Sequence, residues 1–137
     1  SKSHWDVPVE VGGRVIHLLA SHPTPPLFDG PEDSNGRRNF DEIRLWADYI
    51  TGGAQAGYLT DDQGRRGGLG AGSSFVVIGD MNAEPLTDAA VYGRTAIAQL
   101  LDHPRVQDPK PLGEGELPTV ADQPPYPGDR RKCGLRL

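Results

Sequence analysis

An unbroken apolar run that ends in a glycine constrains the fold of this chain more than any other feature. Residues 75–78 have the sequence FVVI, and Gly79 follows them directly. Such a run predicts a strand buried on both faces, and the glycine predicts a sharp exit from it. Asp80 and Asn82 then stand at the end of that strand, on a loop that Pro85 closes. Their carboxylate and amide groups either converge on one spot as a catalytic edge or serve only as turn formers.

A hairpin is predicted near the start of the chain. Valines alternate with other residues over positions 7–11, Gly12 and Gly13 follow, and a more continuously apolar run covers 14–20. This pattern predicts two antiparallel strands joined by a tight turn. The first strand should lie near a sheet edge, where Pro8 is tolerated, and the second should lie deeper.

Two helices are predicted farther along the chain. Apolar residues recur at helical spacing over positions 40–50, and glycines at 52 and 53 end the pattern. Asn39, with Glu42 three positions later, has the spacing of a capping box at the start of this helix. A second helix is predicted from Thr87 towards residues 100–101.

Composition and charge narrow the possible classes of protein. The 137 residues include 18 Gly and 13 Pro, so we expect one domain with a modest core and much loop. The formal net charge of −5 argues against broad electrostatic attachment to nucleic-acid phosphates. No apolar run approaches the roughly 20 residues of a membrane helix, and no protein partner is evident.

The chain divides by composition into a main part and two irregular segments. We expect residues 1–106 to form one partial domain, interrupted by a glycine-rich, mobile surface insertion over 52–73. Residues 107–137 are rich in proline, glycine and charge, which predicts an irregular or disordered tail.

A second group of chemically useful residues follows the second hairpin strand. His22 lies in the sequence SHPTPP at 21–26, and imidazole is the side chain best suited to proton transfer near neutral pH. If this strand and the Asp80 strand are neighbours, His22 faces the same sheet edge. The alternative is a loop histidine with no catalytic role. Arg37 or Arg38 is a candidate phosphate clamp, unless it is solvated or paired with a carboxylate.

The order of these motifs resembles the middle of the endonuclease/exonuclease/phosphatase superfamily. The motifs are a strand, SHPTPP at 21–26, a helix, and a strand ending in GDMNA at 79–83. The resemblance spans roughly residues 1–88, and the stretch NGRRN at 35–39 is similar to a bacterial subgroup. It implies an α/β fold that is part of a DNase I-like two-sheet sandwich, with predominantly antiparallel or mixed sheets and flanking helices.

The resemblance also implies roles for individual residues. Asp80 would orient or deprotonate the attacking water, Asn82 would contact the phosphate, and His22 would assist the leaving group or bind phosphate. Asp80 and Asn82 would hold a divalent cation, Mg²⁺ or alternatively Mn²⁺ or Ca²⁺, because hard cations prefer oxygen ligands. The residues expected to bind a phosphate-ester substrate, for which nucleic acid is one candidate, are Arg37, Arg38 and Asn39.

Several segments of that superfamily are not found in this sequence. They are an early strand ending in Asn, a metal-binding Glu on the next strand, and a carboxy-terminal Ser-Asp-His segment. We therefore expect a fragment of a divalent-metal-dependent phosphoesterase, either a phosphodiesterase or nuclease or a phosphatase. The alternative is a truncated, catalytically inactive domain that acts only as a ligand- or partner-binding module. A role for Asp80 as a covalent phosphate acceptor on a doubly wound sheet ranks behind both.

Overall fold

The fold is built on one small mixed sheet. The computed structural model describes residues 2–86 and 88–108. Within them the sheet has the strand order β1-β2-β3, with β1 and β2 antiparallel and β2 and β3 parallel. This arrangement is α/β, as the sequence predicts. The elements are β1 (His4–Val11), β2 (Arg14–Ser21), α1 (Ser34–Thr51), β3 (Ser74–Ile78) and the single-turn α2 (Ala98–Leu101).

The predicted hairpin is confirmed. Gly12 and Gly13 join β1 to β2 with φ angles of 57° and 76°, the left-handed pair that a two-residue hairpin turn requires. β1 lies at the edge of the sheet and contains Pro8, whereas β2 lies in the centre. The central position of β2 brings the strand that precedes His22 next to the strand that precedes Asp80.

The predicted core helix is confirmed, but its predicted start is wrong. Phe40, Ile43, Trp46 and Ile50 are buried and form the core with Leu19 of β2.

The helix begins at Ser34, after Asp33 in the left-handed conformation (φ 51°), so Asn39 lies within its second turn. The first turn is mostly polar. The helix was predicted from the spacing of apolar residues, so this turn could not be predicted in that way. Glu42, assigned to a capping box by its spacing, instead binds the loop after β2 through its carboxylate.

A half-buried polar cluster joins both hairpin strands to the helix. The Asp6 carboxylate accepts hydrogen bonds from His17 Nδ1 at 2.8 Å and from the Tyr49 hydroxyl at 2.5 Å. Burial and the hydrogen bond to Asp6 raise the pKa of Tyr49. Because β1, β2 and α1 each contribute one residue, the cluster fixes the helix on this face of the sheet.

The predicted second helix is wrong except for its last turn. Thr87 itself lies outside the described residues, and helix is found only over Ala98–Leu101. Tyr92 and Gly93 have φ angles of 51° and 86°, which a right-handed helix cannot include. An isolated bridge between Val91 and Arg94 replaces the helix there.

The two irregular segments differ in how much of them is described. Over residues 52–73 the chain forms turns and an isolated bridge between Thr60 and Arg66, and it buries Ala56 and Leu69. The expected mobility of this segment stays a prediction. The predicted tail lies outside the described residues from 109 onward.

The face of the sheet opposite α1 is apolar and open within the described residues. Trp5, Val7 and Val76 are 63%, 43% and 42% exposed. The prediction that β3 is buried on both faces is therefore wrong for this part of the chain, because α1 covers only one face and no described element covers the other. By strand alternation and register, the open face carries Trp5, Val7, Val9, Val11, Ile16, Leu18, Ala20, Val76 and Ile78.

Among the described residues, neither helix has the length and apolar character of a membrane span.

Candidate active site

Parallel pairing of β2 and β3 brings the two candidate motifs to one edge of the sheet. Ala20 pairs with Ile78, so His22 and Asp80 each follow two residues beyond that pair. Helix α1 connects the strands and runs back across the sheet, so its first turns lie at this same edge. The carboxyl edge of the sheet thus collects the SHPTPP loop, the GDMNA loop and the start of α1.

Gly79 lets the two strand ends approach closely. Its φ angle is 130°, and a Cβ atom at this position would overlap the carbonyl oxygen of Ser21. A side chain is therefore excluded both by conformation and by space. The glycine in the GDMNA motif is explained by this contact.

The loop after Gly79 alternates between inward and outward side chains. Met81 is buried, and its sulfur lies 3.9 Å from Ser21 Oγ, which also accepts a hydrogen bond from Trp46 Nε1 at 2.7 Å. Asp80, one residue earlier, is exposed, and its Oδ1 accepts the Asn82 N–H at 2.9 Å. Burial of the methionine thus directs the aspartate carboxylate to solvent at the sheet edge.

Asn82 connects this loop to the loop after β2. It has a φ of 48°, a left-handed conformation that asparagine tolerates better than most residues. Its side-chain Nδ2 donates to the carbonyl oxygen of Pro23 at 3.0 Å. Because Pro23 directly follows His22, this bond ties the amide of one motif to the backbone of the other.

Asn39 is the central link between the two loops. Its side chain is 1% exposed, and Nδ2 lies within hydrogen-bonding distance of three carbonyl oxygens. These belong to Thr24 at 2.8 Å, Met81 at 3.0 Å and Asn82 at 3.4 Å. The side chain holds the backbone on both sides of the candidate site and does not face solvent.

Sequence reasoning missed the contribution of Thr24 and Glu42. The Glu42 carboxylate accepts the Thr24 N–H at 2.6 Å and the Thr24 hydroxyl at 3.3 Å. This pair fixes the chain two residues beyond His22. The sequence feature that could have indicated this contact is Glu42. Because Glu42 lies three positions after Asn39, it was interpreted as part of a helix cap.

The other predicted site residues are His22, Arg37 and Arg38, and only His22 lies in one of the two loops at the carboxyl edge of the sheet. His22 is exposed, and its side chain makes no hydrogen bond within residues 2–86 and 88–108. Arg37 and Arg38 are also exposed and line a cleft with Lys2 and His4, on a different flank of α1 from Asn39. The structure therefore brings His22, Asp80, Asn82 and Asn39 to one edge and leaves both arginines beside it.

No match was found when the chain was compared with protein-family models, curated proteins and solved structures. The superfamily resemblance therefore stays a prediction that depends on the motifs themselves.

The oxygen atoms at this edge are of a type that suits a hard divalent cation. Asp80 has a solvent-facing carboxylate, and Asn82, two residues away, has a side-chain amide whose nitrogen is bound to the Pro23 carbonyl oxygen. No group of three or more His, Cys, Asp or Glu side chains suitable for a metal is found in the part of the chain that the structure describes. A cation with few protein ligands and several retained waters, such as Mg²⁺, fits this donor set.

Proposed function

We propose that this chain is part of a metal-dependent phosphoric ester hydrolase, with its candidate site at the carboxyl edge of the β1-β2-β3 sheet. The observation that carries the proposal is the parallel pairing of β2 with β3. It brings the His22 loop and the Asp80–Asn82 loop together, and the buried Asn39 amide joins them. An imidazole, a carboxylate and an amide at one edge can supply proton transfer and phosphate positioning for phosphate-ester hydrolysis.

Each side chain has a distinct role in the proposed reaction. The exposed Asp80 carboxylate orients the attacking water and takes its proton as the oxygen–phosphorus bond forms. The ester bond on the opposite side of phosphorus breaks, and His22 donates a proton to the departing alkoxide. Asn82 orients the phosphate through its amide, while its backbone N–H holds the Asp80 carboxylate in place.

A divalent cation is part of this proposal. Asp80 and Asn82 are the residues that would hold Mg²⁺, or Mn²⁺ or Ca²⁺ in its place. When bound, it would neutralise charge on the phosphate oxygens, which is the main requirement of phosphoryl transfer. The carboxylate and the amide orient the water and the substrate whichever of these cations is present.

The open sheet face supports the finer proposal of a two-sheet sandwich. Nine apolar residues from three strands line this face, and the most exposed of them, Trp5, is 63% exposed. An apolar sheet face of this kind is normally packed against a second layer. We therefore expect a second sheet, supplied by sequence beyond the described residues, to cover it in the complete protein.

The same face favours the second candidate function, a module that binds a partner and has no catalytic activity. Exposed contiguous apolar surface marks interaction sites in folded proteins. Under this alternative, Asp80 and His22 are ordinary loop residues, and substituting them changes no activity.

Cation binding tests the proposed site directly. Mn²⁺ is titrated into the chain labelled with ¹⁵N, and paramagnetic broadening of amide signals is followed by NMR. We expect broadening centred on residues 80–82 and 22–24, and its loss in Asp80→Asn. Asp62→Asn is the matched control, because Asp62 is an exposed loop carboxylate away from the sheet edge. Broadening that survives Asp80→Asn would contradict the proposed site.

Hydrolysis separates the two candidate functions. Bis(p-nitrophenyl) phosphate and p-nitrophenyl phosphate are each incubated with the chain and Mg²⁺. Turnover that is lost in Asp80→Asn and His22→Gln but kept in Asp62→Asn supports the hydrolase. Absence of turnover, together with cation binding unaffected by Asp80→Asn, supports the binding module. Fast turnover by the isolated chain would show that the catalytic site is complete and that the expected fragment is wrong.

A further inference from the structure

Three cationic side chains meet on one flank of α1, in a chain whose net charge is negative. Lys2, which precedes β1, and Arg37 and Arg38 of α1 line a cleft of about 440 Å³, here named the flank cleft. All three are exposed, and none forms an ion pair with a carboxylate of the described residues. Because the formal net charge of the chain is −5, this group of unpaired cations is not a general property of its surface.

The two carboxylates that line the flank cleft are engaged with other partners. Asp41 forms an ion pair with Arg44, in which Oδ1 lies 3.3 Å from Nη2. The Glu42 carboxylate accepts hydrogen bonds from the N–H and the hydroxyl of Thr24. Neither carboxylate therefore pairs with the three cations, which leaves a local positive potential that attracts an anionic ligand.

The flank cleft lies beside the candidate site, two strands away along the carboxyl edge of the sheet. His4 lines the cleft and is paired with Ser21 at the end of β2. Gly79, directly after β3, packs against the Ser21 carbonyl oxygen from the other side. The three strand ends thus lie in a row, and two strand spacings, about 10 Å, separate the backbone of His4 from that of Gly79.

Helix α1 lies between the two positions. On one side, His4 Nε2 donates to the Glu42 carbonyl oxygen at 2.8 Å. On the other side, Asn39 Nδ2 donates to the Met81 carbonyl oxygen at 3.0 Å. The helix thus binds the start of β1 on one flank and the Asp80 loop on the other. An anion in the flank cleft therefore lies across α1 from the Asp80 carboxylate.

We propose that the flank cleft binds a second anionic group of the phosphate type, carried by the same substrate, an inference that rests on the proposed hydrolase function. Arginine binds phosphate oxygens through parallel N–H groups, and lysine adds a compact positive charge. The substrate is then a small molecule with two anionic groups about 10 Å apart. One group lies at Asp80 with the divalent cation, and the other lies in the flank cleft. Free phosphate is the other source of the same chemistry, and binding measurements distinguish the two.

Titration of inorganic phosphate without a divalent cation tests the flank cleft alone. The chain is labelled with ¹⁵N, and the side-chain Nε–H signals of Arg37 and Arg38 are followed by NMR. We expect both signals to shift, and phosphate binding to be about 5- to 10-fold weaker in Arg37→Gln and in Arg38→Gln. Arg14→Gln is the matched control, because Arg14 is an exposed arginine at the opposite end of β2. Equal phosphate affinity in all three variants would overturn the site.

Non-hydrolysable bisphosphonates test whether one ligand spans both positions. Calorimetry in Mg²⁺ compares heptane-1,7-bisphosphonate, which is long enough to span them, with propane-1,3-bisphosphonate, which is too short, and with heptylphosphonate, which has one anionic group. A linked ligand binds more tightly only if its linker reaches both sites. We expect the long bisphosphonate to bind about 100-fold more tightly than heptylphosphonate. This gain should be lost in Asp80→Asn and Arg38→Gln and kept in Asp62→Asn and Arg14→Gln.

The bisphosphonate results separate failure of this inference from failure of the proposed function. Phosphate binding in the flank cleft without a gain for the long bisphosphonate would overturn the substrate with two anionic groups and identify free phosphate as the ligand. An equal gain for the short bisphosphonate would also overturn it, because that ligand cannot reach both positions. A gain that is lost in Arg38→Gln but survives Asp80→Asn would instead refute the proposed hydrolytic site and leave the anion site in the flank cleft standing.

Discussion

Replacement of Asn39 by alanine should destabilise the fold more than its position on a mostly polar helical turn suggests. The side chain donates to the Thr24 and Met81 carbonyl oxygens at 2.8 and 3.0 Å and is 1% exposed. Each lost hydrogen bond costs about 1 kcal/mol, and a carbonyl left buried without a partner adds to this. We expect a total loss of about 2–4 kcal/mol, a large part of the roughly 5–15 kcal/mol of a typical domain.

Urea unfolding of two matched variants measures this loss. Asn35 is the same residue type one helical turn away, is only half-buried, and donates its amide to one carbonyl, that of Leu27. Asn35→Ala should therefore cost about 1 kcal/mol, with the same dependence on denaturant. If Asn39→Ala costs no more than Asn35→Ala, the buried amide does not join the two loops as described.

A third variant separates hydrogen bonding from volume. Asn39→Asp keeps the size of the side chain but replaces its N–H donors with a buried carboxylate, which desolvation keeps from ionising easily. At neutral pH this variant should be at least as unstable as Asn39→Ala. It should regain part of the loss at low pH, when the protonated acid can donate one hydrogen bond. An unchanged pH profile relative to the wild-type chain would refute the assignment of Asn39 as a donor.

Three further predictions follow from strained or titrating groups. Gly79→Ala should cost about 3 kcal/mol or more in urea unfolding, because the new Cβ overlaps the Ser21 carbonyl at a positive φ; a loss below 1 kcal/mol would contradict this close approach. Phe28→Gly should stabilise the fold by about 0.5–1 kcal/mol, since glycine adopts the left-handed conformation without strain; a lower stability would show that the ring packs in solution. Burial, with a smaller effect of the Arg105 guanidinium, lowers the pKa of His103 below 6.5. The unfolded chain then binds more protons, so stability should fall as the pH drops below about 6.5, and His103→Gln should reduce this fall between pH 7.5 and 5.5.

The elements that the sequence predicted correctly are those with local signals. The hairpin was predicted from Gly12 and Gly13, whose conformations are set by the turn itself. The core side of α1 was predicted from periodic apolar residues, which burial then confirmed. Both signals lie within a few residues of the feature that they predict, so no tertiary contact was needed to read them.

The wrong predictions concern segments that lack a periodic apolar pattern and residues whose partners lie far away in the chain. The first turn of α1 is mostly polar and has no apolar periodicity, and its Asn35 side chain binds the distant loop after β2. The second helix fails at Tyr92 and Gly93, which adopt positive φ angles; the glycine was a visible weak point in the sequence, whereas the conformation of Tyr92 was not. Glu42 was assigned a local cap, but its partner Thr24 lies 18 positions away. The motifs were enough to predict which residues lie at the candidate edge. The hydrogen bonds that join the two loops could not be predicted from them.

The connection between β2 and β3 has a consequence for how the protein folds. The hairpin closes over two residues, while Ser21 and Met81, which meet at the candidate site, are 60 positions apart in the chain. Closing a long connection costs more chain entropy than closing a short one, so β1 and β2 should pair before β3 joins them. The candidate site should therefore be among the last parts to assemble, and substitutions at Asn39 or Asn82 should mainly accelerate unfolding while leaving the folding rate nearly unchanged.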